Sequence, residues 1–285
     1  MSQRVVNNLN EGLHRLFASD QDVCLIGEDI DDPYGGAFKV TRGLATNYPD
    51  RVFSSPISEQ SIVSIANGMA LAGDKPIVEV MFGDFLLLAF DQILNVASKI
   101  PEMTGELVQH EMIIRSPCGA HRGYGSTHSQ SLQKHFVGIP NVVLYEMSPF
   151  HDNFKVFSKM FFEKQLAIYF ENKILYSKNF LNLPGDIDIF RTKQIDSEND
   201  FVSLSTSDRD QFDTVILCGG GLAYDVMAVA KELLIEMEME TMIIVPSKIF
   251  PLQIEPIGEF LKQAKQIVIV EESVAGGTWG DTIAG

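Results

Sequence analysis

Short apolar runs of strand length alternate with segments of helical period through most of this chain. That alternation points to an α/β fold: a mainly parallel sheet covered on both faces. Val5, Leu9, Leu13, Leu16 and Phe17 recur at helical spacing with polar residues between them, so the chain opens on an amphipathic helix. Residues 23–26 read as a short buried strand and Val52-Phe53 as another. A nearly uncharged helix follows over 61–73, in which Ile62, Ala66, Met69 and Gly73 share one face and Ile65, Gly68 and Ala72 lie beside it. So many small residues suit close approach by another backbone. Pro76 then starts a strand over 77–82, and Gly83-Asp84-Phe85 turns into a helix from 86 to about 99. Strands over 111–115, 141–144 and 167–170 and a helix over 154–162 complete a first domain, 1–178.

Residues 179–213 break this grammar with mixed charge and proline, and read as a linker holding a small hairpin, with strand-like fragments at 187–191 and 201–204. A second, smaller α/β domain is expected over 214–285. Its strands fall at 214–218, 241–245 and 266–270, and its helices at 222 to about 237 and at 257–263. A total of 285 residues suits two domains. Asp281-Thr282-Ile283-Ala284-Gly285 reads as the start of a further helix, so this second domain is expected to be open to truncation.

A net charge of -16 with no basic cluster repels phosphate backbones, which argues against a nucleic-acid partner. No apolar run approaches the roughly 18 residues of a membrane span, and the first residues lack a signal peptide's apolar core. The expected location is cytoplasmic, or a compartment reached without a Sec signal, with no membrane partner. Cys24, Cys118 and Cys218 are far apart and odd in number, which fits free thiols in a reducing compartment.

Several stretches carry chemistry-bearing residues. Pro56-Ile57-Ser58-Glu59-Gln60 opens the small-residue helix, and Glu59 is the one carboxylate at its mouth. On its own, an acid in a first helical turn complements the helix dipole and needs no other role. Gly27-Glu28-Asp29 is an acidic loop at a strand's carboxyl end, where open α/β sheets place ligands. Residues 116–130 form a long polar, glycine-rich loop, a length that inside a compact domain is usually functional or disordered. Within and after it, His121, His128 and His135 are spaced by seven, yet a helical spacing has no meaning in a loop and no zinc motif accompanies it. His128 as a proton-handling group in the loop is a stronger reading than a zinc site, with a solvated histidine the default for an isolated example. Gly219-Gly220-Gly221 between strand and helix resembles a phosphate-cradling turn, although a tight turn alone needs such glycines. No nucleophile elbow and no P-loop is present.

Taken in order, many segments match one pattern. They are Gly27-Glu28-Asp29 with Gly35-Gly36-Ala37-Phe38; Arg51-Val52-Phe53 through Ser58-Glu59-Gln60 to Gly73; Glu79-Val80-Met81-Phe82-Gly83-Asp84-Phe85; and Ile114-Arg115-Ser116-Pro117. His128-Ser129-Gln130-Ser131, Phe170-Glu171-Asn172-Lys173 and Gly276-Gly277-Thr278-Trp279-Gly280 extend it almost to the end. Together they resemble the beta subunit of the thiamine-diphosphate-dependent decarboxylating component of 2-oxoacid dehydrogenase complexes. The resemblance implies a transketolase-like pyrimidine-binding domain followed by a transketolase carboxyl-terminal domain.

It also implies roles. Glu59 would face the pyrimidine nitrogen of thiamine diphosphate, where a hydrogen bond helps the cofactor's own amino group take the thiazolium proton. Phe85 would stack on that pyrimidine, His128 would line the substrate and lipoyl entrance as a proton donor, and Glu28 would bind the cofactor or, equally, be a structural acid beside the cofactor-facing loops. The pyrophosphate and magnesium motif, G-D-G followed by an Asn, is absent from this sequence. In this family it belongs to the alpha subunit, so the chain would hold no metal for the cofactor and would be half an active site. The implied partners are that alpha subunit, in a heterotetramer of two alpha and two beta chains with a beta–beta contact, a lipoyl acyltransferase core, and a 2-oxoacid substrate. The family's structural potassium ion would sit near residues 160–166, where the usual Asp, Asn and Pro are missing. Two rivals stand beside this reading: the carboxyl half of a split transketolase or related thiamine synthase, and a non-catalytic assembly subunit that kept the fold.

Overall fold

The computed structural model describes residues 3–105, 107–183, 185–196, 201–207 and 211–284. Helices α1 (Val5–Ser19), α2 (Leu44–Asn47), α3 (Glu59–Ala72), α4 (Gly83–Leu86), α5 (Ile100–Met103) and α6 (Asn153–Phe162) alternate with strands in the first part of the chain. Those strands are β1 (Val23–Gly27), β2 (Val52–Ser54), β3 (Lys75–Glu79), β4 (Met112–Cys118), β5 (Val142–Glu146) and β6 (Leu166–Asn172). Next come β7 (Arg191–Asp196), β8 (Phe201–Ser205), β9 (Thr214–Cys218), α7 (Ala223–Met237), β10 (Thr241–Val245), β11 (Lys248–Phe250), α8 (Gly258–Gln263), β12 (Gln266–Val270) and α9 (Trp279–Ala284). Among the described residues no helix is long and apolar enough to cross a membrane.

The first sheet has seven strands in the order β11-β5-β6-β4-β3-β1-β2. Strands β1 to β6 all run parallel to one another, as the apolar runs lead one to expect. Alternate residues divide between its faces. Ile113, Val143, Tyr145, Ala167 and Tyr169 pack with α1 and α6 residues such as Leu9, Leu13 and Phe157. Ile114, Leu144, Ile168 and Phe170 face the other way, onto Ile62, Val63 and Ala66 of α3. This second core layer continues through Phe201, Val215, Leu217, Met242 and Ile244, so it also buries one face of the second sheet.

The second sheet has the order β12-β9-β10-β8-β7, and α7 closes its far face with Val226, Met227 and Ala230. The hairpin read in the linker is β7 with β8, and β8 pairs antiparallel with β10, so it forms the edge of this sheet instead of standing apart. Its first strand starts at Arg191, later than the 187–191 fragment, which makes a single bridge between Ile187 and Phe190. The two sheets are also stitched together by β11, which follows β10 in the chain yet pairs antiparallel with β5 of the first sheet.

The single helix expected over 86–99 is broken. A 3-10 turn at Leu87–Ala89, a π-turn at Gln92–Val96 and another 3-10 turn at Ala97–Lys99 lead into α5. Pro101 falls in the first turn of α5, where its missing N–H is tolerated, so a new helix starts there. Asn67 on α3 donates to the Gln92 carbonyl at 3.2 Å, where the π-turn begins.

Candidate active site

Glu59 is the first residue of α3, and its N-cap, Ser58, has extended backbone. Ser58 does not cap the helix with its side chain; its hydroxyl bonds Ser61 Oγ at 2.9 Å instead. Glu59 is only 8% exposed, and among the described residues no side chain or N–H is hydrogen-bonded to its carboxylate. Neither oxygen is among the buried atoms left without a partner, so the carboxylate keeps contact with solvent at the helix mouth. Glu28 follows the last residue of β1 and is half-buried. Burial lifts its carboxyl above the ordinary range, and the charges of Asp29 and then Glu59 add to the rise. Glu28 therefore lies within electrostatic reach of Glu59, at the carboxyl edge of β1.

Phe85 lies on α4, at the carboxyl end of the neighbouring strand β3, and meets Phe82 edge-on at 6.2 Å between ring centroids. His128 stands edge-on to both rings, 4.8 Å from Phe82 and 5.1 Å from Phe85. Its Nδ1 is 3.0 Å from Thr127 Oγ1. Tyr124 and Phe38 extend this aromatic wall, each edge-on to Phe82. The structure thus brings Phe85 and His128 into contact, couples Glu28 with Glu59, and sets both pairs on the carboxyl edge of the adjacent strands β1 and β3.

Beneath this edge lies a network that the sequence reading did not single out as a site. Arg115, fully buried on β4, donates through Nε and Nη2 to Glu171 on β6 at 2.7 and 2.6 Å, and its Nη1 is hydrogen-bonded to Glu79 on β3. Tyr176 donates to the same Glu171 at 2.6 Å. Burial raises the Glu79 carboxyl, against the pull of Arg115. Lys173 is fully buried too, with no hydrogen-bond partner for its Nζ among the described residues, and sits 5.8 Å from the Phe82 centroid. Burial lowers its pKa. The available signal was charge inside apolar strands, since such groups stay only when paired or used.

The triple glycine proves to be a docking turn. Gly221 N–H donates to Glu146 Oε1 at 2.9 Å, and a Cβ on Gly219 would lie 2.7 Å from the same oxygen. A Cβ on Gly220 would lie 2.3 Å from the Met147 carbonyl. A carboxylate of the first sheet occupies the place a phosphate would need. Among the described residues no group of three or more His, Cys, Asp or Glu is placed to hold a metal ion. His121 is an exposed left-handed loop residue and His135 ends a 3-10 turn, so neither joins His128 on the aromatic wall. At the corner where potassium was expected, Lys248 Nζ lies 2.7 Å from Glu163 Oε1, which Tyr145 also contacts at 2.9 Å.

A parallel sheet with an acid at a helix entrance and an aromatic wall beside it is the arrangement that the resemblance to transketolase-like pyrimidine-binding domains implies. Residues 3–163 match the family described as transketolase, pyrimidine binding domain. The pyruvate dehydrogenase E1 component subunit beta of Gracilaria tenuistipitata var. liui is 32% identical over 281 residues, covering 97% of this chain and 82% of the relative. The chloroplastic subunit beta-2 of Arabidopsis thaliana is 30% identical over 278 residues, covering 96% of this chain and 65% of its own length. A split-gene transketolase, solved as an inactive beta4 tetramer, superposes with a TM-score of 0.73 over 100% of this chain and 84% of its own, at 17% identity. That likeness carries the fold. The chain belongs to the transketolase-like family of pyruvate dehydrogenase E1 beta subunits.

Proposed function

We propose that this chain is the beta half of a thiamine-diphosphate-dependent 2-oxoacid dehydrogenase. It works with a separate alpha subunit, in an assembly of two alpha and two beta chains, and passes the acyl group to a lipoyl domain of an acyltransferase core. The names of its relatives favour pyruvate as the 2-oxoacid. The observation that carries the reading is Glu59, a buried carboxylate at a helix mouth with no donor of its own chain.

The residues present fit the pyrimidine end of that cofactor. Glu59 would hydrogen-bond a ring nitrogen, and the half-buried Phe85 offers a ring for stacking. When bound, thiamine diphosphate supplies the nucleophilic carbon that attacks the 2-oxoacid carbonyl and the electron sink for decarboxylation. Glu59 holds or yields a proton at the pyrimidine nitrogen, at the mouth of α3. His128, seated on Phe82 and Phe85, delivers a proton at the mouth of the site. The diphosphate and its magnesium fall to the alpha subunit. A face of α3 that includes exposed Ile65, Gly68 and Leu71, with Ile57 and Leu88 nearby, supports contact with another chain. We place the assembly in the cytoplasm.

The test is the co-purified alpha–beta assembly with Glu59→Gln. Decarboxylation and hydrogen exchange at the thiazolium carbon should both drop by about a hundredfold or more. Wild-type rates in that variant would sink the assignment. The fold likeness to a split-gene transketolase favours one second reading, a ketol-transferring pair. Acyl transfer to a purified lipoyl domain separates the two.

A further inference from the structure

The loop that carries His128 has little to hold it from within. Gly119, Gly123, Gly125 and His121 all have left-handed backbone, and most residues from 120 to 127 are exposed. Its internal backbone bonds include Gly119 N–H to the Gln130 carbonyl at 3.1 Å and His128 N–H to the Gly125 carbonyl at 3.3 Å. A glycine-rich loop of this kind loses much conformational entropy when ordered, so its position must be held from outside.

Gln130 Nε2 donates to Asp84 Oδ1 on α4 at 2.7 Å near His128, and the start of the loop is held by the turn after β12. Glu272 Oε1 accepts the Ala120 N–H at 2.5 Å, at the loop's start. Its Oε2 accepts Asn172 Nδ2 at 3.1 Å. Asn172 is 6% exposed, and its Oδ1 accepts the Ile174 N–H at 3.0 Å. Its side chain fills the space under Gly119 and Gly221, where added Cβ atoms would lie 2.7 and 2.4 Å from Nδ2. Just beyond the loop's other end, Lys134 Nζ donates to the carbonyls of Gly276 and Val274 at 3.1 and 3.4 Å. The turn is braced in its own right, since Glu271 Oε1 accepts Thr278 Oγ1 at 2.5 Å and the Gly280 N–H at 2.9 Å.

We propose that Glu272, from the second sheet, is a positioning residue for His128: by tying Ala120 to Asn172 it holds the loop so that the imidazole stays on Phe82 and Phe85. The catalytic part of this rests on the dehydrogenase reading, whereas the anchoring does not. Glu272 touches no reacting atom; it acts by limiting where the loop can go. Both of its oxygens face donors, so an amide cannot replace it without setting one N–H against another. A charge-assisted bond to a loop amide is worth enough to shift local opening by about tenfold or more.

The experiment is hydrogen–deuterium exchange and steady-state kinetics on the full alpha–beta assembly. With Glu272→Gln, exchange at amides 120–128 should rise by about tenfold, while kcat falls by about tenfold and KM for the 2-oxoacid stays within about twofold. Adding Asn172→Asp reverses the donor and acceptor of the pair, and should recover both the slow exchange and kcat. Lys134→Met should loosen amides 129–133 without repair by that swap. Unchanged exchange in Glu272→Gln overturns the anchor. Faster exchange with unchanged kcat overturns the positioning of His128. An assembly with no decarboxylase activity at all removes the dehydrogenase reading, and exchange then decides the anchor by itself.

Discussion

Glu146 makes the stability of this protein depend on pH, and the size of the effect follows from its surroundings. The carboxylate is 7% exposed at the end of β5 and is shared between the two sheets, accepting the Gly221 N–H at 2.9 Å and Gln133 Nε2 at 3.3 Å. Burial pushes its carboxyl from 4.5 up to about 7; the two hydrogen bonds oppose the rise, and the charges of Glu272 and Glu271 add to it. Because the folded value lies above the unfolded one, its contribution is fully present below pH 4.5 and is lost as pH rises through about 7. At about 1.4 kcal/mol for each pH unit between those values, the loss approaches about 3 kcal/mol by pH 8 to 9. Glu146→Gln keeps an oxygen for Gly221 and removes the charge. Its amide sets an N–H against Gln133 Nε2, a cost that does not vary with pH, so relative to the wild type the variant should gain up to about 3 kcal/mol between pH 5 and pH 8.5. The assay is urea unfolding followed by the fluorescence of Trp279, the one tryptophan, which lines the same cleft as Glu146. Stability curves for the two proteins that stay parallel from pH 5 to pH 8.5 would refute the reasoning.

Three further perturbations probe other parts of the molecule. Arg115→Met leaves two buried carboxylates without their cation and should cost about 3–5 kcal/mol, read as a lower urea midpoint; a loss below about 1 kcal/mol would mean that Glu79 and Glu171 simply take up protons. His110 is fully buried with neither ring nitrogen bonded among the described residues, and burial lowers its pKa from 6.5 to about 4. Its folded value is depressed, so the stability it allows is complete above pH 6.5 and falls by up to about 3 kcal/mol toward pH 4; His110→Phe should flatten that acid limb in thermal scans. Gly220→Ala drives a methyl into the Met147 carbonyl and should separate the sheets locally, seen as faster amide exchange at 219–223 than in the wild type, with that at Ile113 and Ile168 unchanged.

Much of the fold was legible because its signals are local. Runs such as those over 23–26 and 167–170 are apolar enough to be strands buried on both sides, and helices fall between them. Glu59 could be placed at a helix mouth from sequence alone, because small uncharged residues follow it without interruption. The network of Arg115 could not be found that way. Its partners lie 36 and 56 residues away, and they meet only because β3, β4 and β6 are neighbours in a register that sets Glu79 beside Arg115. The histidines show the same limit, since equal spacing in a loop says nothing about direction, and the aromatic wall receives only His128.

By itself the sequence determined the parallel α/β layering and the helix that Glu59 opens, because strand and helix periods and a helix's first turn are properties of neighbouring residues. Tertiary structure alone decided that the triple glycine takes a carboxylate and not a phosphate. It also decided that β11 of the later segment joins the first sheet, and that Glu272 reaches across to the loop of His128. Those outcomes depend on which distant backbones approach within hydrogen-bond range, and no local pattern encodes that distance.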